Sequence, residues 1–505
     1  MPAATTAPRR PNLVLILSDQ HNPHVMGCAG DPEVQTPHLD RLAAEGVQLS
    51  NCYTPAPLCA PARVGFLTGQ YASTLDIWDN GGQLPSSVPT FAHALGAGGY
   101  EAVLCGRMHF NGPDQFHGFE QRLHGDVAGY LSMEINGTGN FRTTGQTHYA
   151  VQVAGHGRAG YAAFDGDVTD KACDFIAGRD PQTRPFCLVV GYVLPHNPLI
   201  CSPPWFDHYF QRLPVPDPVP EDYVEGLHPA LQAWRRRRGV DQITPQQHHR
   251  ARAAYYGLVS ELDENVGRVL DAVESSGQAD DTLVIYASDH GDMATEQHGM
   301  WWKSCYFEGS ARVPCILRYP RQFAAGTDLP AVTSLIDLGP TLLELTRSPS
   351  LPDAEGRSLA PMLSGAAAPS DWGGEVFCEY GGAHGDLPSC MVRSGRWKLA
   401  YYHEFDSCLL YDVESDPEEA CNRAEDPECA QIAASLLERI LGRWSARRAL
   451  DGMARQNRSR YLIAASGHGA MPHPVPPSTP DPAVNDFDFS QIPDWERLRE
   501  RARSA

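Results

Sequence analysis

Four apolar runs, each long enough for one buried strand, end in polar residues: NLVLILSDQ at 12–20, EAVLCGRMH at 101–109, CLVVGYVLPH at 187–196 and DTLVIYASDH at 281–290. Their apolar character is near-continuous rather than alternating, as in strands covered on both faces. Helix-like patterns lie between them. The clearest opens at TPQQ, where Thr244 is placed to cap, Pro245 to take the first helical position and Gln247 to close a capping box. Tyr255, Val259, Leu262, Val266, Val269 and Val273 then recur at spacings of three and four, one buried helical face. Strands alternating with helices predict an α/β fold with a mostly parallel sheet and flanking helices.

After Pro340 the pattern changes. EVFCEY, SCMVRSGRWKLAYY and CLLYDVESDPEEACN read as short antiparallel strands, followed by a helix around 432–444. A large domain over 1–375 and a smaller C-terminal α+β unit over 376–505 are expected. The stretch from about Gly467, rich in proline, is expected to be extended, either disordered or lying on a neighbouring subunit of a homo-oligomer. The proline-rich segment 201–240, with RRRR at 235–238, reads as a surface excursion, either a lid or a solvated loop.

Sixty-one acidic residues against 40 basic ones leave a net charge of −21, which repels nucleic acid and anionic membranes. The first ten residues, MPAATTAPRR, lack the apolar core of a secretory signal, and no apolar run approaches membrane-spanning length. With fourteen cysteines scattered and no C-x-x-C pair, reduced thiols and a cytoplasmic location are expected.

In an open parallel sheet, ligands bind beyond the carboxyl ends of the strands. The four runs deliver Asp19 with Gln20, Arg107 with His109, His196, and Asp289 with His290 to that edge. Asp19, Gln20, Asp289 and His290 are mostly hard oxygen donors, suited to one divalent ion: Ca²⁺ first, with Mg²⁺ or Mn²⁺ as alternatives. Cys59, in PLCAPARVGFLTGQY, is the odd member. A thiolate nucleophile at a helix start is one reading, but a soft sulfur beside a hard cation is a mismatch.

LCAPARVGFLTG resembles the C-x-P-x-R signature of type I sulfatases, whose cysteine is oxidised to formylglycine. PNLVLILSDQ, TPHLDRLAAEGVQLSNCYT, GYEAVLCGRMHF, DDTLVIYASDHGDM, FEGSARVPCILRYP and LIDLGPTLLEL are similar to that family's blocks, in its order. VPTFAHAL and GRMHFNGPDQFHGFEQR are most similar to the choline sulfatases, and the Asp19–Gln20 pair is shared with them and with phosphonate monoester hydrolases.

The resemblance implies an alkaline-phosphatase-like fold and a sulfuric ester hydrolase acting on a small organic sulfate. The alternative on the same scaffold is a phosphonate monoester or phosphodiester hydrolase. It further implies a formylglycine at residue 59, made by a separate maturation enzyme. Its hydrate would join Asp19, Gln20, Asp289 and His290 around the metal, and one hydroxyl would attack the ester. By the same resemblance Arg63 holds the hydrate and Arg107 stands where the family has lysine. His109 is the base that releases sulfate, His196 and Lys303 contact the sulfate and the leaving oxygen with one of them as general acid, and Asn80 contacts the substrate. His298 is a neighbour that could replace Lys303. Trp78, Trp301 and Trp302 could form a cage for a choline cation. However, Ala383 stands about where choline sulfatases carry a glutamate, which predicts another alcohol.

Overall fold

The computed structural model describes residues 10–127, 145–370, 372–382 and 385–465. The expected Pro-rich tail, Ala383 and much of the Gly-rich stretch after Gly125 lie outside them. Eight strands form the main sheet: β1 (Asn12–Asp19), β2 (Val47–Leu49), β3 (Glu101–Gly106), β4 (Gln121–His124), β5 (Phe186–Pro195), β6 (Thr282–Ser288), β7 (Cys315–Arg318) and β8 (Thr327–Leu329). Their spatial order is β8-β2-β7-β6-β1-β5-β3-β4. The strands β4, β3, β5, β1 and β6 run parallel, whereas β7 runs antiparallel to both its neighbours. Ser18 pairs with Ser288, and Gly106 with Gly191, so the carboxyl ends of the four polar-tipped strands are nearly level.

Two apolar layers sandwich the sheet. Val14 and Ile16 of β1 face one way, towards Val259, Leu262 and Val266; Leu13, Leu15 and Leu17 face the other, towards Phe66, Leu338 and Leu342. That two-sided burial is why β1 needs no polar alternation. Five helices frame the site or the sheets around it: α1 (Cys59–Thr68), α2 (Pro229–Arg238), α3 (Pro245–Ser275), α4 (Ala430–Arg443) and α5 (Ala446–Ala465). Helix α3 begins with the expected capping box: the Thr244 hydroxyl accepts from the Gln247 amide at 3.3 Å, and Gln247 Oε1 accepts from the Thr244 amide at 2.9 Å. All six residues of its predicted face are buried.

A separate antiparallel sheet is built from 375–380, 389–394, 397–402 and 407–412. One face (Val376, Cys378, Met391) joins the main core, and the other (Phe377, Val392, Leu399) is covered by Leu436 and Ile440 of α4. Lys398 anchors the junction, buried between Glu308 at 2.7 Å and Glu419 at 2.5 Å. Two of the four arginines at 235–238 contradict the solvated reading: Arg235 and Arg238 are buried on α2 because both point inward from the helix. Among the described residues no helix is long and apolar enough to cross a membrane, and all fourteen cysteines are free thiols.

Strands β3 and β5 approach most closely at their ends, where the Arg107 amide donates to the Gly191 carbonyl at 2.9 Å. A Cβ on Gly191 would overlap the Arg107 carbonyl oxygen. Gly191→Ala is therefore expected to destabilise the protein by roughly 1–3 kcal/mol and to displace Arg107. Urea unfolding checks the first effect; an unchanged midpoint would show that the strand ends move apart without cost.

Candidate active site

Helix α1 starts at Cys59, preceded by extended Leu58, which offers no side-chain cap. Asn80, twenty-one residues on, replaces it: its Oδ1 accepts from the Ala60 amide at 3.0 Å, and its Nδ2 lies 3.9 Å from Cys59 Sγ. The sulfur thus sits at the positive end of a helix. Lys303 Nζ is 2.9 Å from it, His290 Nε2 3.3 Å and Asp19 Oδ1 3.7 Å, and His109 hydrogen-bonds it as well. Burial and Asp19 push this thiol up, but Lys303, His290 and His109 outweigh them and pull it well below its ordinary range.

Arg63 follows Cys59 by one helical turn and is fully buried. Its Nε donates to Asp289 at 2.8 Å and one terminal nitrogen to Asp19 at 3.2 Å, while the carbonyls of Arg107, Ser18 and Tyr192 take further bonds at 2.9, 3.3 and 3.5 Å. The guanidinium grips the carboxylates and strand ends. Arg107 donates through Nε to Asp19 at 2.7 Å, and another of its nitrogens lies 3.3 Å from His109 Nδ1. Burial raises the Asp19 carboxyl, yet Arg107, Lys303 and Arg63 together hold it well below the usual range.

Asp19, Cys59, Asp289 and His290 present ligand atoms within 4.8 Å of one another. His290 Nδ1 meets the Gly291 carbonyl at 3.0 Å, which leaves Nε2 as the ligating nitrogen. Gln20 lies alongside in a left-handed conformation (φ 72°), its amide donating to Asp289 Oδ1 at 3.2 Å. Its Nε2 donates to Asp292 at 2.5 Å and to Asn197 at 3.4 Å, so that Oε1 is buried and accepts no hydrogen bond. Asp289 is pushed up by burial and by Asp19, a carboxylate short of positive charge. An orphaned amide oxygen, two carboxylates and an imidazole fit a hard divalent cation.

Three contributors were not singled out from the sequence. Asp292 orients Gln20 and accepts from the Ala294 and Trp302 amides; its place in SDHGDM was the available signal. Asp126 accepts from the Met108 and His109 amides at 3.1 and 2.7 Å, holding His109 at φ 61°. Asn197 joins Gln20. Neither of these last two carries a signal beyond residue type. Among the expected residues, His196 meets the Asn197 carbonyl through Nδ1 at 2.6 Å, and burial followed by Lys303 lowers it to about 3, so it is neutral. His298 turns to Tyr223 instead, with ring centroids 4.2 Å apart. Trp78, Trp301 and Trp302 are all buried, with Trp78 bonded to Asp76 and Trp301 to His248, so they form core and no open cage.

The profile of the sulfatase family matches residues 11–348, and one for the C-terminal region of N-sulphoglucosamine sulphohydrolase matches residues 296–445. The chain is 33% identical over 479 residues to the choline-sulfatase of Rhizobium meliloti (strain 1021), covering 90% of each protein. It is 28% identical over 491 residues to a multifunctional alkaline phosphatase superfamily protein of Trinickia caryophylli, covering 86% of this chain and 95% of the relative. The phosphonate monoester hydrolase of Agrobacterium radiobacter shares the fold at a TM-score of 0.71, with 24% identity, 86% of this chain and 95% of that one covered.

Asp292→Asn should loosen the Gln20 amide and weaken Ca²⁺ or Mg²⁺ binding by about 10–100-fold, as the loss of an outer-shell partner does. Calorimetric titration of chelator-stripped protein measures this directly. Unchanged affinity would exclude Gln20 Oε1 as a ligand.

Proposed function

The chain belongs to the sulfatase family, and on that premise we propose that it hydrolyses a small organic sulfate ester, with Cys59 matured to formylglycine as its nucleophile and one divalent ion beside it. The observation that carries this reading is the crowding of Lys303, His290, His109 and Asn80 around Sγ of residue 59, next to the carboxylates of Asp19 and Asp289. Sγ marks where the aldehyde-derived oxygens would stand. A formylglycine hydrate supplies a hydroxyl nucleophile and a second hydroxyl whose proton can be removed to release the product. A divalent ion held by Asp19, Gln20, Asp289 and His290 adds positive charge there and acidifies an attached hydroxyl, with Ca²⁺ the best match to the donor set.

The remaining work falls to the protein. Arg63 and Arg107 pair with Asp19, and Arg63 also pairs with Asp289, which leaves Asp289 the carboxylate best placed to take charge from a bound cation. Asn80 and Lys303 are donors for the non-bridging and leaving oxygens of the ester, where charge develops. His196, held neutral, is a hydrogen-bonding partner for the sulfate, which leaves Lys303 as the cationic proton donor to the leaving alcohol. His109, oriented by Asp126, is the base that takes the last proton before product release. The charge of −21 disfavours long polyanionic esters and suits a compact, weakly charged one.

A second reading has its own support. The Trinickia relative is described as multifunctional, and the Asp–Gln pair is shared with phosphonate monoester hydrolases, so a phosphonate monoester or a phosphodiester is the alternative substrate. Parallel rates on 4-nitrophenyl sulfate and a 4-nitrophenyl phenylphosphonate separate the two.

The decisive experiment is mass spectrometry of the tryptic peptide Leu42–Arg63 from active enzyme made in a host that contains a maturation enzyme. An aldehyde or its hydrate is expected at Cys59 and an intact thiol at Cys52. Fully active protein that keeps both thiols would sink the proposal. Removal of metal with a chelator should abolish turnover, with recovery on adding Ca²⁺.

A further inference from the structure

Lys303 sits on a backbone that most sequences would not adopt. Within 294–304, six residues other than glycine have positive φ: Ala294 (42°), Thr295 (82°), Gln297 (49°), His298 (53°), Trp302 (65°) and Ser304 (66°). Such angles are costly for residues with a side chain and persist only where surrounding contacts dictate them. Part of the restraint is internal: Asp292 accepts from Ala294 and Trp302, and the Met293 amide donates to the Trp302 carbonyl at 2.8 Å.

The rest comes from the arginine run. On α2, buried Arg235 donates to the carbonyls of Gln297 at 3.2 Å and His298 at 3.0 Å, while Asp241 holds its other side at 2.9 and 2.7 Å. Trp234 Nε1 donates to the Ser304 carbonyl at 3.1 Å. Arg238 donates to Gln146 Oε1 at 3.1 Å, and Gln146 Nε2 reaches Ser304 Oγ at 3.3 Å. One helix therefore grips the loop on both sides of Lys303. The Ser304 amide completes the grip by donating to the Pro57 carbonyl at 3.1 Å, two residues before Cys59.

We propose that α2 is a strut for the proton donor, with Arg235 and Trp234 as positioning residues that keep Lys303 Nζ against residue 59. The inference rests on the reading of Lys303 as the acid that protonates the leaving oxygen. A guanidinium is suited to the task because its fixed, planar set of five donors bridges two consecutive carbonyls while its other side pairs with Asp241.

The test compares phenyl sulfate, whose leaving phenolate needs a proton, with 4-nitrophenyl sulfate, whose leaving group needs little help. Four variants are measured: Lys303→Ala, Arg235→Met, Trp234→Phe, and the Arg235→Met/Lys303→Ala double. Lys303→Ala should lower kcat/KM on phenyl sulfate by about 10²-fold or more, the usual span of general acid catalysis, and on the nitrophenyl ester by far less. Arg235→Met should show the same selective loss at about 10-fold, and Trp234→Phe, which removes only one donor, a weaker version at about 3-fold. The double variant should be no slower on phenyl sulfate than Lys303→Ala.

Equal losses on both esters in the Arg235 and Trp234 variants would overturn the strut, as would a double variant much slower than Lys303→Ala. Trp234→Phe decides the matter alone should Arg235→Met not fold, which thermal melting reveals. If Lys303→Ala itself does not discriminate between the esters, the proposal falls through its premise, and the reading of Lys303 falls with it.

Discussion

The site depends on one buried guanidinium. Asp19 and Asp289 lie at the ends of adjacent strands with no exposure to solvent, and two carboxylates cannot stay ionised so close together without compensating charge. Arg63 touches both and also takes up carbonyls from β1, β3 and β5. It therefore fixes the spacing of four strand ends while it shares its one positive charge between the two carboxylates. The C-x-x-x-R spacing of the signature has its cause here: one helical turn separates residue 59 from the residue that fastens the helix to the sheet.

Much of the architecture could be read from residue patterns because it is written in side chains. Near-continuous apolar runs announce strands covered on both faces, and the polar residues at their tips are the ones that meet. The Thr244–Gln247 box was legible because capping needs particular atoms at particular offsets. Asp126 was not, since it works by accepting from backbone amides, which every residue type supplies. The four arginines at 235–238 misled for the same reason: a charge run ordinarily marks solvent, and the carbonyls that bury Arg235 lie 62 and 63 residues away along the chain.

Those buried arginines belong to a wider pattern. A second helix, α5, fastens the turn that carries Asn80: Arg460 donates to both carboxylate oxygens of Asp79 at 2.7 Å, Arg455 pairs with Asp76, and Gln456 donates to the Asp76 carbonyl. Asn80 is then held from the far side by Asn111, which donates to its carbonyl at 2.8 Å. Two donors that approach residue 59 from outside the main sheet, Lys303 and Asn80, are thus each set by a helix whose arginines bind the carrying loop.

This division explains how an acidic chain can hold cationic donors in a buried site. Positive groups packed around an anionic ester repel one another before substrate arrives, and flexible loops would relieve that strain by moving apart. Anchoring the loops through helices outside the pocket opposes the relaxation, so Lys303 and Asn80 are already oriented toward residue 59. The surplus of carboxylates supplies the partners for that anchoring: Asp241 behind Arg235, Asp386 on Arg238, Asp79 on Arg460. Net negative charge thus serves the site, since acidic residues pair with the arginines that fasten the loops of Lys303 and Asn80.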